Sequence, residues 1–151
     1  MSNNSEIIEA LIAAYWMELE TVQNYLANSI NLDGVRAEEI KKSLLADVAG
    51  ELTHAQRLAK RIKVIGGKVP GSAGFKSVQT TLQPPVDSTD VVTVIKGVID
   101  AERAAVAHYN MIIKLADGKD YVTQDLCVEL LGDEEEHLRE LVGFLTEYEK
   151  R

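Results

Sequence analysis

The sequence predicts an all-α fold: an antiparallel four-helix bundle with one long crossover between its second and third helices. Three observations carry this expectation. Pro70, Pro84 and Pro85 are the only prolines and all fall within residues 66–88, so the rest of the chain lacks the strongest helix breaker. Outside that segment, apolar residues recur at steps of three and four, the period of a helix with one buried face. The links between the periodic stretches run short, long, short. That order predicts two helical hairpins joined by a crossover spanning the bundle.

The first helix is expected from about Asn4 to Ser29, capped near Asn4 or Ser5. Asn31 to Gly34 makes a tight link. The second helix runs from about Val35 to Ile65 and stops at Gly66-Gly67, a C-terminal signal. The crossover, GGKVPGSAGFKSVQTTLQPPVDS, holds the prolines, and KSVQTTL could form a short extended piece in it. The third helix runs from about Thr89 to Ala116 and ends at Asp117-Gly118. The fourth runs from about Asp120 to Glu149. Helices of roughly 26 to 31 residues are about 40–46 Å long and need neighbours of equal length.

A chain of 151 residues suits one domain over 1–151, with a sizeable core. Its 24 acidic residues outnumber 16 basic ones, for a net charge of −8. That balance disfavours nucleic acid and anionic membrane surfaces and favours cations. One cysteine excludes an internal disulfide framework and a Cys-only metal site. The longest uncharged apolar run, Ala10 to Met17, is too short to span a bilayer, and MSNNSEII does not read as a signal peptide. The expected setting is a reducing cytoplasm.

The sharpest anomaly is a carboxylate on an apolar stripe. In the third helix the stripe reads Ile95, Val98, Ile99, Glu102, Ala105, Val106, Tyr109, Ile112 and Ile113. A lone buried carboxylate costs several kcal/mol unless it is paired, protonated or metal-bound. The first helix repeats the arrangement: Leu11, Ala14, Glu18, Val22 and Tyr25 share a stripe, with Glu20 as the rival carboxylate. In both helices a tyrosine follows the glutamate by seven residues. The second and fourth helices each hold Glu-x-x-His, as Glu51 with His54 and Glu134 with His137. Residues three apart on a helix point the same way and can share one ion.

Spacing joins these pieces. Glu18 precedes Glu51 by 33 residues, and Glu102 precedes Glu134 by 32. The two hairpins are therefore internal repeats, each supplying one lone Glu and one Glu-x-x-His. This is the constellation of a carboxylate dimetal site in a helical bundle. Four carboxylates and two neutral imidazoles carry a charge of about −4, which two divalent cations would neutralise. Oxygen ligands with imidazole suit iron(II) or manganese(II), and zinc can bind adventitiously.

The stretches MELETVQNY, ELTHAQRLAKRI and DYVTQDLCVELLGDEEEHL resemble the bacterioferritin-like branch of the ferritin-like superfamily. The resemblance covers essentially the whole chain and is weakest in the crossover. It implies two iron ions per chain: Glu18 and Glu102 as terminal ligands, Glu51 and Glu134 as bridges, His54 and His137 on one iron each. It implies oxidation of iron(II) by oxygen or hydrogen peroxide, a ferroxidase-like activity. Tyr25 matches a tyrosine beside such sites that can donate one electron, although its spacing also reads as a core aromatic. Tyr109 would sit beside the site as well.

Three departures qualify the resemblance. Leu52 stands where bacterioferritins carry a methionine haem ligand, so no haem is expected. Such proteins often place Asp before each Glu-x-x-His as an outer partner for a ligating histidine. Asp133 fits that role, but Gly50 stands at the other position. One histidine should then lack its partner, and the two iron positions should differ in affinity. Only 14 residues follow His137, which leaves no clear fifth helix and disfavours a 24-subunit shell. The expected assembly is a homodimer through the first and second helices, with a larger assembly left open. Other functions stay open: iron storage with little turnover, or a structural bundle with a vestigial site.

Several features read as bland. Cys127 is expected in the core, His108 at a boundary, and Lys60, Arg61, Lys63 and Lys68 as a solvated helix end. Close helix approach could explain Gly50 and Gly132.

Overall fold

A computed structural model describes residues 2–150, with side chains from residue 4. Four long helices build it: α1 (Ser2–Asn31), α2 (Glu38–Val64), α3 (Val91–Ala116) and α4 (Tyr121–Glu149). Each end lies within three residues of its sequence expectation. Helix α1 starts at Ser2, so Asn4 and Ser5 sit inside its first turns and do not cap it. A short 3-10 turn, Val35–Ala37, precedes α2 where the sequence predicted helix from Val35. Asp90 and Asp120 cap α3 and α4, each accepting from a threonine amide three residues on, Thr93 and Thr123. Gly34, Gly66 and Gly118 adopt positive φ at the links, a conformation other residues resist.

Helix α1 packs along α2 and α3 along α4, with a further α1–α3 contact. The apolar core lies in two halves. One gathers Leu11, Leu58, Ile62, Ile112, Leu126 and Leu130. The other gathers Leu32, Ile40, Leu44, Ile95, Val98 and Leu141. The central turns of all four helices lie between these halves, and the buried carboxylates occur there. Cys127 is buried in the first half, as expected. No helix is long and apolar enough to cross a membrane among the described residues.

The crossover holds two 3-10 turns, Ser72–Gly74 and Thr80–Leu82, and no strand among its described residues. The KSVQTTL piece is therefore not extended throughout. Its path is set by α1. Glu20 accepts from Ser77 Oγ at 2.8 Å and from the Val78 and Gln79 amides at 3.0 Å each. Asn24 donates to Gln79, and Asn28 donates to the Leu82 carbonyl. Gly97 of α3 lets this strap lie close, because a Cβ there would fall 2.2 Å from the Thr81 carbonyl oxygen.

Two sequence readings need correction here. Gly50 and Gly132 have nothing within 4 Å of where a Cβ would stand, so close packing does not explain them. Arg61 does not solvate the helix end. It pairs with Asp120 at 2.8 Å and donates to Thr123, tying α2 to the start of α4.

Candidate metal centre

The four helices bring all six expected residues to one place. Glu18, Glu51, His54 and Glu134 each offer a ligand atom within 4.8 Å of the others, and so do Glu51, Glu102, Glu134 and His137. Glu51 and Glu134 belong to both groups. Glu18 and His54 occur only in the first group, Glu102 and His137 only in the second, and either group could hold a metal ion. Their helical stripes explain the convergence: each lone Glu replaces a core residue on α1 or α3, and each Glu-x-x-His faces inward from α2 or α4. All four glutamates are at most 1% exposed.

Both imidazoles turn Nδ1 toward the carboxylates. His54 Nδ1 lies 3.0 Å from Glu18 Oε2 and 3.0 Å from Glu134 Oε1. His137 Nδ1 lies 3.2 Å from Glu51 Oε1 and 3.8 Å from Glu102 Oε1. The opposite nitrogens turn outward. His54 Nε2 bonds Asp133 Oδ2 at 2.9 Å, reaching across from α2 to α4. His137 Nε2 lies 3.7 Å from Asp47 Oδ1. The sequence reading left one histidine without a carboxylate neighbour, and that needs correction: Asp47 stands there, although beyond hydrogen-bond reach. Spacing gave no hint of it, because Asp47 breaks the internal repeat.

The metal-free electrostatics are those of a site filled with protons. Burial pushes Glu102 up to about 12, aided by its contact with Glu134 and by the charges of Glu134 and Glu51. Burial and the charge of Glu18 raise Glu51 to about 7, and burial raises Glu18. Burial alone would lower His54, but contacts with Glu134 and Glu18 outweigh it and hold it at about 11. The same contest leaves His137 at about 9, through Glu51 and Asp47.

The donor set fits a cation pair. Buried polar atoms almost always find partners. Among the described residues, nine buried side-chain atoms lack one, and six of them belong here: Glu18 Oε1, both Glu51 oxygens, Glu102 Oε2, Glu134 Oε1 and His137 Nδ1. Every one is a metal-ligating atom type. Protons shared between neighbouring carboxylates and imidazoles can hold the cluster without metal, and the same atoms can hold cations.

Around it, Tyr25 Oη donates a short hydrogen bond to Glu102 Oε1, linking α1 to the glutamate of the other hairpin. Burial and the Glu102 charge push this phenol well above its ordinary range. Tyr109 is fully buried, and its hydroxyl has no partner among the described residues. The rival Glu20 is buried too, but faces the crossover. His108 stays outside the cluster and bonds the Ala10 carbonyl at 2.8 Å.

Comparison with known proteins finds similar chains. A sequence model of the ferritin-like domain matches residues 8–150. The bacterioferritin of Desulfovibrio desulfuricans is 27% identical over 135 residues, 89% of this chain and 71% of that one. A protein of Pyrococcus furiosus named for DNA protection during starvation is 29% identical over 136 residues, 87% of this chain and 72% of that one. A ferritin-like diiron-carboxylate protein of Bacillus anthracis superposes with a TM-score of 0.84 over 96% of this chain and 99% of that one. At 20% identity, that likeness speaks for the fold.

Proposed function

The chain belongs to the ferritin-like domain family, and we propose that within it this protein is a ferroxidase-like di-iron carboxylate protein. It takes up iron(II) and oxidises it with oxygen or hydrogen peroxide. The observation that carries this reading is the sharing of Glu51 and Glu134 between two four-residue donor groups. A single-ion site needs no shared carboxylates. Two ions held side by side can deliver two electrons to one oxidant molecule.

The residues would work as follows. His54 and Glu18 would hold one ion and His137 and Glu102 the other, with Glu51 and Glu134 available to both. Bound iron(II) supplies the electrons for reduction of oxygen or peroxide. The six ligands balance two divalent charges, so the loaded site is near neutral and tolerates its burial. Asp133, bonded to His54 Nε2, fixes that ring with Nδ1 aimed inward. The apolar halves above and below keep bulk water off the site. Tyr25, hydrogen-bonded to Glu102, orients that glutamate and is placed to give up one electron. Leu52 offers no haem ligand, and it is 43% exposed.

The test is oxidation of a large excess of iron(II), followed by iron(III) absorbance. Repeated turnover supports the oxidase reading. A single turnover with retained iron makes the pair a resident cofactor or store. No oxidation above the buffer rate rejects the reading.

A further inference from the structure

The internal repeat places Gly50 where the second hairpin has Asp133, each one residue before a Glu-x-x-His. Asp133 holds His54 Nε2 at 2.9 Å, so the equivalent support for His137 should come from position 50. Glycine cannot give it. We propose that Asp47, one helical turn earlier on α2, is the positioning carboxylate for His137, replacing the one missing at Gly50. The inference rests on the metal-centre reading above.

Four observations carry it. Asp47 Oδ1 is the carboxylate oxygen facing His137 Nε2, at 3.7 Å, which is 0.8 Å beyond the 2.9 Å of the His54–Asp133 pair. At 3.7 Å the pair is beyond hydrogen-bond reach, so the proposed role requires this gap to close when His137 ligates. Asp47 Oδ2 is buried without a hydrogen-bond partner among the described residues, which leaves the carboxylate free to turn to His137. The nearby rival, Glu140, is engaged by Ser43 Oγ at 2.7 Å. The space beside Gly50 is open, so no side chain there competes for the ring. A carboxylate behind a ligating imidazole fixes the ring and its outward N–H, and raises the basicity of the inward nitrogen. Asp47 does for His137 what Asp133 does for His54, but from a looser geometry.

The test uses cobalt(II) and zinc(II) on the full chain. Anaerobic cobalt(II) titration compares wild type, Asp47→Ala, Asp133→Ala, and Asp47→Ala combined with Gly50→Asp. Asp47→Ala is expected to weaken one of the two bound positions by about 10- to 100-fold and spare the other. Asp133→Ala should weaken the opposite one, and Gly50→Asp should restore most of the Asp47→Ala loss. In the zinc-loaded protein, nitrogen-15 spectra should show a slowly exchanging His137 Nε2 proton that Asp47→Ala makes fast. Unchanged cobalt affinities and proton exchange in Asp47→Ala would overturn the proposal while leaving the metal centre standing. Equal weakening at both positions would also overturn it, as a general charge effect. A wild-type chain that binds no cobalt would remove the metal centre and this proposal together.

Discussion

Loading the site with metal should drive protons out of it, and the number can be worked from the side chains. At pH 7 Glu102, His54 and His137 hold protons, with pKa values of about 12, 11 and 9. Glu51, at about 7, is half protonated. Each must surrender its proton to become a ligand. Two zinc(II) ions per chain should therefore release about three to four protons at pH 7. The product of the two binding constants should then rise about a thousandfold per pH unit near neutrality, a factor of ten for each of three protons. Calorimetry in two buffers of different protonation enthalpy counts the protons directly. Glu102→Gln removes one titrating group and should lower the count by about one. Release of fewer than one proton per chain would mean that the ions bind elsewhere or that the cluster is already ionised.

Three more outcomes follow from the same geometry. The histidines hold their protons in the folded metal-free chain to about 11 and 9, against an ordinary 6.5, so their stabilisation is complete below about pH 6.5 and lost as pH rises through those values. The raised Glu102 and Glu51 act in the same direction, so the melting temperature without metal should fall from pH 6 to pH 9 while the increment given by zinc grows; a flat or rising metal-free curve contradicts this. Gly97→Ala forces a Cβ to within 2.2 Å of the Thr81 carbonyl oxygen and should cost about 1–3 kcal/mol in denaturant unfolding; wild-type stability would mean that the crossover is not held against α3. Leu26, Ile30, Leu45 and Leu52 are exposed on α1 and α2, so native mass measurement should return a homodimer that Ile30→Glu with Leu45→Glu splits; a monomer or a large shell contradicts the dimer.

The parts of the structure that follow from local pattern were legible in the sequence. The four helices carry unbroken three- and four-residue periodicity, and two breaks are marked by Gly66 and Gly118, which do take positive φ. The six candidate ligands were legible because a glutamate on an apolar stripe has few physical explanations, and two matched hairpins narrow them further. The choice of Glu18 over Glu20 rested on stripe regularity. Both proved buried, and the chemistry that separates them is tertiary: Glu18 meets His54, while Glu20 meets the amides of the crossover. The path of that crossover was not legible, since Glu20, Asn24 and Asn28 dictate it from a helix that lies 50 or more residues earlier in the chain. Asp47 was missed for a related reason. Repeat reasoning looks for a carboxylate at Gly50, and one helical turn of displacement hides it. Arg61 read as part of a basic run until the start of α4 supplied Asp120.

As proposed, each chain holds a pair of iron ions with Glu51 and Glu134 available to both. The most direct measurement is Mössbauer spectroscopy on protein loaded anaerobically with iron-57(II), then exposed to oxygen or peroxide. The expected result is two irons per chain, magnetically coupled once oxidised, and loss of the coupled pair in Glu102→Ala. Isolated iron(III) spectra, or a coupled pair that survives Glu102→Ala at unchanged stoichiometry, would contradict it.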